Sequence, residues 1–99
     1  MASFKDIINS DKPVLVDFSA TWCGPCKTMV PILDKLKKIV GDSATVIKID
    51  VDKNPQAASA YKVQSVPTLM IFKNGELKWR QSGVVQANEL QMLLMKYKQ

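Results

Sequence analysis

Residues 13–20, PVLVDFSA, constrain the fold of this chain more than any other stretch. A nearly continuous apolar run rich in valine is what a strand buried on both faces requires. Such a strand belongs in the middle of a sheet with helices above and below it.

The flanking sequence supplies those helices. From Cys26 the apolar period lengthens, and Met29, Leu33, Leu36 and Val40 recur at helical spacing before Gly41, a natural C-terminal stop. TVIKID (45–50) reads as a second strand. Asn54-Pro55 is a cap followed by a first-turn proline, opening a short helix through PQAASAYK. TLMIFK (68–73) is a third strand, and Asn74-Gly75 turns it back into ELKWRQS as a hairpin. Leu90, Leu93, Leu94 and Tyr97 line one face of a last helix, with Glu89 near its positive end.

The predicted order is strand, helix, strand, helix, strand, strand, helix. Two right-handed crossovers would make the first three strands parallel, and the hairpin would add an antiparallel edge. The expectation is an α/β fold with a mixed sheet and helices on both faces, formed by residues 1–99 as one domain.

No apolar run approaches the ~20 residues of a membrane span. MASFKDIINSDK lacks a basic segment followed by an apolar core, so a cytoplasmic protein is expected. The net charge is +5, from cations spread along the chain. Lys35, Lys37 and Lys38 beside Asp34 read as a solvated helix face rather than a nucleic-acid site, leaving a modest preference for acidic partners.

The chain's two cysteines, Cys23 and Cys26, stand three positions apart behind Trp22 in ATWCGPCKTM. Three uses of the pair can be weighed: a structural bridge, part of a metal site, or a redox couple. Zinc in a structural site takes four protein ligands. This chain offers two sulfurs and no histidine, so only a metal bridging two copies could form. A permanent bridge closing so small a loop contributes little chain entropy. Redox use fits the geometry, because helical i and i+3 positions lie about 5 Å apart at Cα, inside the disulfide window.

Cys23 follows the buried strand and starts the helix, where N–H groups and the dipole favour a thiolate. The dipole contributes roughly 0.3–1 kcal/mol against about 1.36 kcal/mol per pKa unit. Alone it lowers the thiol pKa by less than a unit, and further lowering needs hydrogen bonds from Cys26 and its backbone N–H. A weakly stabilised thiolate means a low potential and a reductant. Cys23, at the exposed helix tip, is the expected nucleophile, and Cys26, one turn in, the resolving thiol.

Asp17 interrupts the apolar strand six residues before Cys23. Burial should raise its pKa, and a carboxylate beneath Cys26 could accept the resolving thiol's proton. The alternative is a bond to a backbone donor at the sheet end. Lys48, on the adjacent strand, could hold the carboxylate's charge. Asp50 and Asp52 read as strand-end and turn residues.

WCGPCK at 22–27, the upstream Asp17, SVPT at 65–68 and FKNG at 72–75 together resemble the thioredoxin family over nearly the whole chain. The resemblance implies a thioredoxin fold with a core sheet of four or five strands and reduction of protein disulfides. It also implies a monomer with no bound cofactor and no metal, re-reduced by a thioredoxin reductase that draws on NADPH. By the family pattern Pro67 is a cis proline facing the disulfide, and Val66 pairs with a substrate strand. Trp22, Gly24, Pro25, Gly83 and Val84 complete an apolar docking surface. Plainer readings are a turn proline for Pro67 and simple packing for Trp22, while Pro31 resembles the family's helix-kink proline. Three departures stand out. MASFKDI leaves little room for the family's first strand, which should be absent or vestigial. Ser19 replaces a tryptophan common in the family, so packing there should be looser. Gln86 stands where a better helix cap is usual.

Two other functions remain in view: an oxidase or isomerase domain as in protein disulfide isomerase, and a non-catalytic binding subunit of the same fold.

Overall fold

The computed structural model describes residues 3–98. In chain order the elements are α1 (Phe4–Ile8), β1 (Val14–Ser19), α2 (Gly24–Val40), a 3-10 turn (Gly41–Ser43), β2 (Thr45–Asp50), α3 (Pro55–Ala60), β3 (Thr68–Lys73), β4 (Glu76–Ser82) and α4 (Ala87–Lys96). The four strands form one sheet in the order β2-β1-β3-β4. Every residue of β1 is buried, as its composition requires of an interior strand.

Side-chain alternation along β1 sorts the core into two layers. Leu15 faces α2 and α4, packing with Met29, Leu33, Leu36, Leu90 and Leu94. Val14, Val16 and Phe18 face the other way, toward Ile8 of α1 and toward Phe4 and Tyr61. The helix stripes expected from sequence are therefore the buried ones, with Val40, Leu93 and Tyr97 half-buried at their margins.

The expected strand directions need one correction. β1 and β2 are parallel, but β3 runs antiparallel to β1, Asp17 opposite Leu69 and Val14 opposite Phe72. The connection from β2 to β3 contains only the six-residue α3. Six helical residues rise about 9 Å, whereas a six-residue strand spans roughly 20 Å. The helix alone does not span that length, and the loops on either side of it do not carry the chain to the far end of the sheet. β3 starts at the end where β1 and β2 finish.

The β3–β4 hairpin turns at Asn74 and Gly75, both with positive φ (53° and 81°), as a two-residue primed turn demands. Gly41 caps α2 with φ 52°, and Gln86 caps α4 without any side-chain hydrogen bond. α1 was not in the predicted order. Its signal is a capping box: the Ser3 hydroxyl accepts from the Asp6 N–H at 3.1 Å, and the Asp6 carboxylate accepts from the Ser3 N–H at 3.2 Å. Among the described residues no strand precedes β1; the expected vestige of a first strand falls partly on positions 1 and 2, outside them.

Candidate active site

One end of the sheet collects the chemistry. β1 ends at Ser19, and the chain turns through Ala20, Thr21 and Trp22, with the Cys23 N–H donating to the Ala20 carbonyl at 3.3 Å. Cys23 then caps α2 in an extended conformation. Its sulfur accepts the Cys26 N–H at 3.1 Å, the backbone bond anticipated as the source of thiolate stabilisation beyond the dipole. Cys23 and Cys26 are joined as a disulfide, their Cα atoms 5.3 Å apart, close to the helical estimate.

In the disulfide form each cysteine, taken as a whole residue, is 4% exposed. Ala20 and the half-buried Val51 and Val66 pack around both. Position distinguishes them, since Cys23 is the capping residue and Cys26 lies inside the first turn.

Because β3 is antiparallel, the segment before it lies at this same end. The Val66 carbonyl oxygen is 3.6 Å from the Cys23 sulfur, and the Val66-Pro67 peptide is cis. The Pro67 carbonyl accepts the Gly83 N–H at 2.8 Å, bringing the end of β4 alongside. A ring of hydroxyls ties the same two segments: Ser65 to Ser82 at 3.3 Å, Ser82 to Thr68 at 3.2 Å, and Thr68 to the Ser65 carbonyl at 2.6 Å. Trp22, Gly24, Pro25 and Val84 are exposed around this point, and Val66 and Gly83 are half-buried. Pro67 is buried, so it is the floor of the surface rather than part of its exposed face.

Asp17 is fully buried, and neither carboxylate oxygen has a hydrogen-bond partner. The backbone donor considered from sequence is therefore not engaged. Burial pushes its pKa up from 3.8 to about 6, and the positive charge of Lys48 partly opposes this rise. Lys48 is its register partner on β2, with an exposed side chain. Strand alternation puts Asp17 on the face of Leu15, beneath α2, whose buried stripe begins with Cys26.

Asp52 is the site residue that sequence reasoning undervalued. It does lie in the turn after β2, but its carboxylate also accepts the Trp22 indole N–H at 2.8 Å. This bond holds a ring that is 69% exposed. Thirty residues separate the two, so no local pattern announces it. Among the described residues no group of three or more His, Cys, Asp or Glu side chains could hold a metal ion.

Comparison with known proteins agrees with this geometry. The Thioredoxin family model matches residues 1–96. The chain belongs to the thioredoxin family. It is 48% identical over 90 residues to a thioredoxin of Rickettsia prowazekii, covering 90% of this chain and 86% of that one. It is 51% identical over 89 residues to thioredoxin Y2, chloroplastic, of Arabidopsis thaliana, covering 89% of this chain and 53% of that one. Among solved structures, a mutant thioredoxin from Halobacterium salinarum superposes with a TM-score of 0.88 at 37% identity, covering all of this chain and 86% of the other. The four-stranded sheet flanked by helices is thus a thioredoxin fold. With its paired cysteines the protein is a thiol–disulfide oxidoreductase.

Proposed function

We propose that this protein is a cytoplasmic, monomeric reductant of protein disulfides, returned to its dithiol form by a thioredoxin reductase that draws on NADPH. The observation that carries this reading is the environment of the Cys23 sulfur. It receives one backbone N–H and the start of a helix, in a chain without histidine. A thiolate so modestly stabilised gives a couple of low potential.

In the proposed cycle the Cys23 thiolate attacks one sulfur of a substrate disulfide. The substrate S–S bond breaks, a mixed disulfide forms, and the other substrate sulfur leaves and takes a proton. Cys26 then attacks the Cys23 sulfur, the Cys23–Cys26 bond forms, and the second substrate thiol departs. Two electrons have moved from the protein dithiol to the substrate. Asp17 accepts the Cys26 proton, directly or through a water. With its pKa near 6 it is mostly ionised at neutral pH and able to act as a base. Lys48 supplies the counter-charge. An extended substrate segment docks over Trp22, Gly24, Pro25, Gly83 and Val84, with the Val66 backbone as its pairing partner and Pro67 below.

Titration of the Cys23–Cys26 couple in a defined thiol–disulfide buffer tests the direction of transfer. A potential below roughly −230 mV supports a reductant; thioredoxin itself is a reference couple on that scale, at about −270 mV. A value near −180 mV would assign the protein to the isomerases and oxidases instead. The Cys26→Ser variant tests the order of attack. It should accumulate mixed disulfides through Cys23, and a protein that only binds its partners would accumulate none.

A further inference from the structure

Beside the second cysteine lies a groove of about 300 Å³ that the disulfide exchange just described does not use. Cys26 forms part of its wall, and Ser19, the small last residue of β1, leaves it open. Three lysines line it: Lys27 from the first turn of α2, Lys48 from β2 and Lys53 from the turn after β2. One carboxylate, Asp50, shares the wall, held in place by backbone donors. Its Oδ1 accepts the N–H groups of Asp52 at 2.8 Å and Lys53 at 3.3 Å. Among the described residues Lys27 and Lys53 form no salt bridge, while the charge of Lys48 acts on the buried Asp17.

Lysines from three elements outnumber the carboxylates beside them, Asp50 in the wall and Asp17 buried under Lys48, so the groove carries a net positive charge. The volume holds one or two side chains, not a folded segment. The cleft is also close to the chemistry, because its Cys26 wall lies 5.3 Å at Cα from Cys23. An extended peptide advances about 3.3 Å per residue. A side chain two or three residues from a cysteine attacked by Cys23 therefore falls within reach of the groove. The net charge of +5 adds long-range attraction of the same sign.

We infer that this groove is a specificity subsite for an aspartate or glutamate side chain near the target cysteine, so that the protein favours acidic disulfide substrates. The acidic side chain enters between Lys27, Lys48 and Lys53 while the neighbouring cystine sulfur meets Cys23. The bond-making steps are unchanged; the groove selects which disulfide is presented. The inference rests on the proposal that Cys23 attacks substrate disulfides.

The test uses the fully reduced protein as the only reductant, in single turnover, against two short peptides that each carry one internal cystine. They differ only in having Glu or Gln two residues from the cysteine. At low salt the acidic peptide should react with roughly a three- to tenfold higher second-order rate constant, and 1 M salt should erase most of the difference. The double variant Lys27→Gln, Lys53→Gln should bring the Glu/Gln rate ratio close to one. Lys37→Gln, Lys98→Gln removes the same charge from exposed positions away from the groove and should keep the preference. Equal rates for the two peptides in the unaltered protein would overturn the inference. So would a preference that survives in the groove variant, or one lost equally in both variants, which would assign it to net charge. If neither peptide is reduced at all, it is the disulfide-reductase proposal that fails.

Discussion

The two faces of β1 are built on one strand and meet opposite demands. On one, Val14, Val16 and Phe18 join an apolar layer in which Phe72 meets Phe4 and Tyr61 edge to face and Phe4 meets Phe18 and Tyr61 at a tilt. On the other face, Leu15 is followed by Asp17, a carboxylate without a hydrogen bond, and Ser19, which leaves a cleft beside Cys26. The first face contributes stability. The second gives some of it up at the end where the cysteines lie, through the buried Asp17 that is the proposed proton acceptor. Strain of this kind gathered at a reactive end is the usual pattern at functional sites.

Truncation on the apolar face should show the largest effect. Phe72→Ala removes a fully buried ring that meets Phe4 at 5.9 Å and Tyr61 at 5.1 Å between centroids. It should cost about 3–5 kcal/mol of unfolding free energy. Urea titration reads this, and the potential of the Cys23–Cys26 couple should not move in the molecules that remain folded.

Asp17→Asn should have the opposite sign. The carboxyl holds its proton to about pH 6 in the fold but only to 3.8 as a free group. The folded chain thus binds the extra proton in that interval, and stability from this group falls as pH rises from 3.8 through 6. At pH 8 the variant should be more stable by up to about 3 kcal/mol, and at pH 3.5 the gain should vanish. Equal unfolding midpoints for the two proteins at pH 8 would erase the contrast between the faces. The same variant should slow multiple-turnover disulfide reduction at least about tenfold above pH 6, since the proton acceptor is gone.

Asp52→Ala tests a smaller effect at the rim of the reactive end. Without its acceptor the Trp22 ring is no longer held, and KM for a peptide disulfide should rise about threefold with kcat unchanged. Asp52→Asn keeps an oxygen acceptor and should restore most of the affinity. The Trp22 indole N–H resonance should shift in the alanine variant and return toward its position in the asparagine one.

Much of this was legible in the residues, because it depends on interactions within a turn or two of the chain. The continuous apolar run marked β1 as interior. The 3.6-residue period marked α2 and α4, and Asn74-Gly75 marked the hairpin. The spacing of Cys23 and Cys26 placed a disulfide at a helix start, and a lone acid in an apolar strand announced a raised pKa. Tertiary structure alone decided the rest. The direction of β3 depended on where the loops around α3 leave the chain, and strand patterns read the same both ways. That direction has a consequence for the site: a parallel β3 would have put Val66 and Pro67 at the opposite end of the sheet, roughly 20 Å away. The hold of Asp52 on Trp22 and the convergence of Lys27, Lys48 and Lys53 on one cleft each join residues from separate elements. Local periodicity specifies which face of an element is apolar. Which elements meet, and in which direction, is set by the packing of the whole chain.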